Sequence, residues 1–301
     1  FLWPSLIGKI EKVHLSDIKP FSKIYTIPII QLFFPTIASQ IFAILDKSFI
    51  GWITHSNYEN GIYEQAFKII EMCIMIISAL SIVKIPSITR FYKNQEDKKI
   101  KETMNDSYNF VLFIGLPILF GLFAISSIFV PIFFGDGYDG AVYLIYVLSS
   151  LIIFTGMQQT IGNQFMIPTE NQQRYSIYLL IGGIVNIVLN IIFIYLCGAL
   201  GASISSAISE MLIMILCIDF ARKKNVFNVK NFIKIAVKYL ISSIIMFVLI
   251  TVLIYFLNID DSLKLIIAIF SGIITYLVTL LLLHDNYFLS FLNKVKKRKD
   301  K

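Results

Sequence analysis

Hydrophobic and polar positions follow one another along this chain in long blocks rather than residue by residue. Eight blocks are apolar enough and long enough to stand out, at about 24–53, 62–92, 108–134, 141–167, 175–197, 200–220, 235–257 and 263–283. About 20 apolar residues in a helix cross the hydrocarbon of a bilayer, because each residue adds about 1.5 Å. No block alternates with the period of two that a barrel strand needs, so all eight are predicted to be transmembrane helices. Residues 1–23 have a different pattern. Leu2, Leu6, Ile10 and Val13 recur at three- and four-residue spacing among Lys9, Glu11, Lys12 and Asp17, which predicts an amphipathic helix on the membrane surface.

Composition supports the membrane class. Of 301 residues, 57% are hydrophobic and 15% charged, and the mean hydropathy is +0.77, well outside the range of soluble domains. The net charge of +7 is unevenly placed. The connections after the first, third, fifth and seventh blocks (Thr54–Gly61, Gly135–Gly140, Gly198–Ala199, Asn258–Ser262) are short and acidic or neutral. Those after the second, fourth and sixth carry Lys93, Lys98, Lys99 and Lys101, then Arg174, then Arg222, Lys223, Lys224, Lys230 and Lys234. Both chain ends are basic as well. The positive-inside rule therefore predicts a multi-pass protein of the cytoplasmic membrane with both termini in the cytoplasm. Basic tails beside spans are explained by topology and anionic lipid, with no nucleic-acid partner required.

The chemistry of soluble enzymes is hard to find here. The loops leave no room for a catalytic domain, and no GxxxxGK[ST] phosphate loop is present. Cys73, Cys197 and Cys217 lie in apolar runs, and His14, His55 and His284 are scattered, so neither a metal site nor a cofactor is expected.

What remains is a set of polar groups at membrane depth, where a charge costs several kcal/mol and usually faces a cavity or a partner. In the first span Thr36, Gln40, Ala43 and Lys47 share a face, with Ser39 and Asp46 on the adjoining stripe, and Pro28 and Pro35 predict a kink before them. The second span opens with Glu64, Lys68 and Glu71 at i, i+4 and i+7, where Lys68 can pair with either acid. Lys84 sits nearer the far end, before Pro86; Glu64 and Lys84 read as interfacial residues that snorkel. Gln158, Gln159, Asn163 and Gln164 in the fourth span, and Asn186 and Asn190 in the fifth, read as inter-helix hydrogen bonds. The sixth span carries small residues at four-residue spacing, Gly201-Ser205-Ser209 and Ala202-Ser206, ending on Glu210. The candidate cavity residues are Gln40, Asp46, Lys47, Lys68, Glu71 and Glu210. Two roles stand open for the charges: they line a substrate path, or they balance one another inside the bundle. Lysines in a path would suit an anionic head group such as a phosphate.

The order Gln40-x5-Asp46-Lys47-x3-Gly51, then Gly61-x-Tyr63-x-x-Ala66-x-Lys68-Ile69, then Pro86-Ser87-Ile88 before a basic loop, resembles the seventh and eighth spans of polysaccharide repeat-unit flippases. These belong to the multidrug/oligosaccharidyl-lipid/polysaccharide exporter superfamily. Trp3-Pro4 and Lys19-Pro20 resemble the linker between that family's two halves, and Leu200-Gly201-Ala202-Ser203 through Glu210 resembles its twelfth span. The resemblance covers essentially the whole chain. It implies an all-α membrane fold: one six-helix lobe over residues 24–220, preceded by an inter-lobe linker over 1–23 and followed by two extra helices and a basic tail over 221–301. Asp46, Lys47 and Lys68 would face the cavity, whereas Lys84 stands where the family has an apolar residue. The implied activity is the flipping of an undecaprenyl-diphosphate-linked oligosaccharide across the membrane, with no catalytic residues. The implied partners are that lipid-linked substrate, membrane lipid and a missing N-terminal lobe of the same protein. With no initial Met, the chain reads as the C-terminal part of a longer protein. A drug/cation antiporter of the same superfamily, a peptidoglycan-precursor flippase and, from another class, a membrane polysaccharide polymerase are the alternatives. A polymerase needs a sizeable outer loop rich in Arg or His, which these short connections do not offer.

Overall fold

The computed structural model describes residues 44–285 and 287–290. The expectations for the amphipathic linker, the two prolines and Gln40 in the first span, and the basic C-terminal tail lie outside the described residues. Those described are helical almost throughout. After α1 (residues 44–54) come α2 (Asn57–Lys93), α3 (Asp97–Phe134), α4 (Gly140–Leu148), α5 (Leu151–Ile161), α6 (Gln172–Cys197), α7 (Ala199–Lys223), α8 (Val229–Phe256) and α9 (Asp261–Leu282). Among the described residues seven stretches are long and apolar enough to span a membrane, with α4 and α5 counting together as Gly140–Met166. They correspond to the second through eighth of the eight expected spans. The chain is a multi-pass membrane protein.

Two corrections to the expected connections have local causes. The turn expected over Thr54–Gly61 is far shorter. Ser56 takes extended backbone and its hydroxyl accepts from the Glu59 amide at 3.2 Å, an N-cap that starts α2 at Asn57. The basic loop after α2 shrinks likewise, because α3 already begins at Asp97 and takes up Lys98, Lys99 and Lys101. The fourth span is not a single regular helix either. Ser149 and Ser150 turn their hydroxyls back on the carbonyls of Tyr146 and Val147, at 2.9 and 2.8 Å, and a break follows between α4 and α5. A π-helical turn over Gly162–Met166 then closes the span before Pro168.

The buried apolar residues fall into two clusters. The larger joins α1 to α7 through residues such as Ile70, Ile77, Val111, Leu144, Ile152 and Ile213. The smaller joins α3 to α8 and α9 through Leu112, Tyr239, Met246, Ile250, Tyr276 and Leu280. Phe113 of α3 is the hinge pin of the second cluster. Its ring lies within 6.0 Å of those of Tyr239, Tyr276 and Phe288, and its carbonyl accepts from the Tyr276 hydroxyl at 2.8 Å. Buried Asp285 ties the end of α9 to the same place, accepting from the Tyr239 hydroxyl and the Phe288 amide. On their other faces α8 and α9 expose Val248, Val252, Ile266, Phe270 and Ile274, a surface suited to lipid.

α6 and α7 form a tight hairpin that positions much of the candidate site. Gly198, at φ +58°, makes the turn between them. The freed amide at the start of α7 is capped from outside the hairpin, since Glu59 of α2 accepts from the Ala199 amide through Oε2 at 2.7 Å. Removing this carboxylate in Glu59→Ala is expected to cost about 1 kcal/mol, the usual worth of an N-cap, read as a small fall in the thermal midpoint of the detergent-solubilised full-length protein. An unchanged midpoint would mean that water caps α7 equally well.

Candidate functional site

Asp46 and Lys47 are neighbours in sequence, but successive residues of a helix point about 100° apart, and the structure sends them to different places. Asp46 is only 1% exposed. Its Oδ2 accepts from the Tyr63 hydroxyl of α2 at 2.7 Å and the Ser206 hydroxyl of α7 at 2.5 Å, and its Oδ1 accepts from the Asn190 amide of α6 at 2.6 Å. Asn190 also donates to Asn186 at 3.1 Å, and Asn186 to Ser206 at 3.3 Å. One carboxylate is thus held by donors from three other helices, all of them uncharged. The expectation that Asp46 faces an open cavity beside Lys47 is corrected: it is turned into the lobe. Asn190 Oδ1 in this knot is buried and accepts no hydrogen bond, although buried acceptors are nearly always satisfied.

Glu210 lies on α7 one turn beyond Ser206. Thr155 and Gln158 of α5 are its polar neighbours, and its Oε2 is buried and unpartnered. Gln158 is itself oriented, because its Oε1 accepts from the buried Tyr175 hydroxyl at 2.8 Å.

Lys47 takes the outer side. Its Nζ lies 3.4 Å from Glu64 Oε1, and the Lys68 Nζ lies 3.0 Å from the same oxygen. The three side chains are 34%, 41% and 53% exposed. Lys68 therefore pairs with Glu64, whereas the sequence left Glu71 equally open to it; Glu71 is exposed one turn further along. Glu64, expected near the interface, bridges the two lysines. At 1.5 Å per residue it sits roughly 10 Å along α2 from Asn57, and Lys68 roughly 16 Å. Beyond this charged stretch the exposed stripe of α2 becomes apolar, through Met72, Met75, Ile76, Ile82 and Val83.

Lys84, also expected near the interface, turns toward α3. It is half-buried and reaches α3, donating to the Ser107 hydroxyl at 3.1 Å and the Thr103 carbonyl at 3.4 Å. Gln164 of the π turn donates to the same Ser107 at 2.8 Å. Ser78 donates to Gln159 at 2.6 Å and Ser81 pairs with Thr160 at 3.1 Å. The amides of the fourth span thus do the inter-helix bonding that their chemistry suggested. An apolar cleft of about 490 Å³ opens between α2, α3, α8 and α9, lined by Ile76, Ile118, Met246, Ile250 and Ile273 among others. Among the described residues no group of three or more His, Cys, Asp or Glu side chains could hold a metal ion, and the three thiols are free.

Sequence reasoning passed over two contributors. Tyr63 entered only as part of a motif, although it lies on the inward stripe of α2 with Ala66 and Ile70, all 0% exposed. Ser206 entered only in a stripe of small residues.

Known proteins give this arrangement its context. Residues 16–143 match the family described as "Polysaccharide biosynthesis protein". Over 255 residues, 82% of the chain, it is 22% identical to the "Probable low-salt glycan biosynthesis flippase Agl15" of Haloferax volcanii. Among solved structures it resembles "Lipid II flippase MurJ, inward closed conformation", with a TM-score of 0.73 over 91% of the chain at 18% identity. The chain is thus similar to proteins named as flippases, and its fold is that of the solved lipid II flippase, as the resemblance to this superfamily implied. It spans about half the length of the relatives it matches, 52% of the Haloferax flippase and 57% of the solved chain.

Proposed function

We propose that this chain is one wall of an exporter that moves undecaprenyl-diphosphate-linked oligosaccharide repeat units from the inner to the outer leaflet of the cytoplasmic membrane. The carrying observation is the exposed Lys47–Glu64–Lys68 face. Charges left open at membrane depth cannot face hydrocarbon, so this face borders a water-filled cavity. A second, N-terminal lobe forms the opposite wall. The lysines attract the diphosphate, the sugars occupy the aqueous cavity, and the apolar cleft between α3 and α8–α9 suits part of the prenyl chain. The relatives whose names describe flippases support this reading. Residues 24–220 make the lobe, 221–301 the two added helices and basic tail, and 1–23 the linker; the basic even-numbered loops put both termini in the cytoplasm.

Asp46, with Glu210 behind it, is the candidate for energy coupling. A site with one carboxylate, an unsatisfied amide oxygen on Asn190 and hydroxyls around it offers oxygen ligands to a proton or a monovalent cation.

The lysines carry the test. The Lys47→Gln/Lys68→Gln double variant is expected to cut glycan export at least tenfold in cells depending on the full-length protein, with normal protein levels in the membrane. Export at the wild-type rate would end the diphosphate assignment. The likeness to a lipid II flippase favours one other substrate, a peptidoglycan precursor on the same kind of carrier. Depletion of the protein would then halt cell-wall growth rather than surface-glycan display.

A further inference from the structure

Glu64 occupies the position where an anionic head group would have to sit. One of its oxygens, Oε1, lies 3.4 Å from the Lys47 ammonium and 3.0 Å from that of Lys68, so a single carboxylate joins cations from two helices. All three side chains are about one-third to one-half exposed and open onto the same face. We propose that Glu64 is a resident competitor for the diphosphate: it fills the anion site between Lys47 and Lys68 in the empty transporter, and the substrate must displace it. The proposal rests on the flippase reading above and adds to it a residue that sets affinity and release.

Charge balance gives the reason. With Glu64 in place, the trio Lys47, Glu64 and Lys68 carries a net charge of +1. With the carboxylate swung away, two ammonium groups face the substrate, and a diphosphate diester carries two negative charges at neutral pH. The full match therefore exists only once Glu64 has moved. Its half-exposed side chain is free to rotate toward water, and an ion pair of that exposure is weak enough to exchange. The same competition helps unloading. A site of two bare lysines would hold a diphosphate too long for rapid turnover, whereas a tethered carboxylate at high local concentration re-enters as the head group leaves. It also spares the empty cavity two uncompensated like charges on adjoining helices.

An ordinary structural salt bridge and a competitor predict opposite signs. If Glu64 only braces α1 against α2, its removal weakens whatever the lysines do. If it competes, its removal strengthens anion binding. The measurement is calorimetric titration of the detergent-solubilised full-length protein with farnesyl diphosphate, a soluble prenyl diphosphate, and with farnesol as the uncharged control. Glu64→Gln keeps the shape of the side chain and is expected to tighten farnesyl diphosphate binding about two- to fivefold, the range an exposed ion pair allows, with farnesol binding unchanged. Glu64→Ala is expected to act in the same direction, which guards against an effect peculiar to the amide. Equal or weaker diphosphate binding by both variants overturns the competitor role. If the Lys47→Gln/Lys68→Gln protein meanwhile loses binding, the flippase reading survives that result. If the double lysine variant binds as tightly as wild type, both fall.

Discussion

Asp46→Ala is expected to lower the stability of the full-length protein by about 2–4 kcal/mol, because three buried donors lose the one acceptor they share. Three donors converge on this carboxylate from α2, α6 and α7. Without it the Tyr63 and Ser206 hydroxyls and one N–H of the Asn190 amide lose their acceptor, each at a cost of about 1–3 kcal/mol before the site relaxes. The readout is a fall of roughly 10 °C in the melting temperature of the solubilised protein, using the few degrees per kcal/mol of chains this size. Asp46→Asn separates structure from function. Its amide oxygen can keep the Tyr63 and Ser206 bonds, while Asn190 can turn its amide so that the now unpartnered Oδ1 accepts from the new NH2 group. Stability should then fall by only about 1 kcal/mol, one ordinary hydrogen bond. If Asp46 binds the coupling ion, export is nevertheless lost. Export at wild-type rates by Asp46→Asn would reduce Asp46 to a structural brace.

Gly201→Ala is the second large effect. A Cβ at Gly201 would overlap the oxygen and carbon of the Phe193 carbonyl and lie 2.7 Å from the Ile194 nitrogen. All three are backbone atoms of α6, so no side-chain rotation relieves the clash and the two helices must part. Overpacking of this kind costs about 1–3 kcal/mol or more, and the roughly 1 kcal/mol that alanine gains over glycine within a helix offsets only part of it. A net loss of about 2 kcal/mol is expected. The separation also strains the Asn186–Ser206 hydrogen bond, which joins the same two helices beside Asp46. Gly201→Ala should therefore impair export beyond its loss of stability. Gly61→Ala is the matched control: nothing lies within 4 Å of a Cβ there, and Gly61 is inside α2. The protein should be unchanged or slightly more stable, by up to about 1 kcal/mol. Equal melting temperatures for the two variants would contradict the close α6–α7 packing.

The spans were legible in the sequence because membrane crossing imposes a length and an apolarity that few other constraints mimic. Their ends were not. Polar residues around Asn57 and Asp97 read as loops, but the Ser56 cap in α2 and ordinary helix propensity in α3 carry the helices past the apolar runs. The break at Ser149–Ser150 was missed because its cause is local side-chain bonding rather than a glycine or proline. The site was legible as a set of residue types and not as a set of partners. Asp46 meets Asn190 across 144 positions and Ser206 across 160, contacts that only the assembled bundle creates. Adjacent charges invited a joint role for Asp46 and Lys47, and helical geometry divided them. The i, i+4 spacing of Glu64 and Lys68 did state a contact, but the arrival of Lys47 at the same oxygen depended on how α1 packs against α2.

The central claim is that the Lys47–Lys68 face carries a lipid diphosphate across the membrane. The most direct test reconstitutes the full-length protein into liposomes holding a prenyl-diphosphate-linked oligosaccharide in the inner leaflet and follows the glycan's exposure to an external lectin over time. Wild type is expected to expose the glycan far faster than protein-free vesicles, and the Lys47→Gln/Lys68→Gln protein at least tenfold more slowly than wild type. Lectin access at the protein-free rate with wild type, or at the wild-type rate with the double variant, would contradict it.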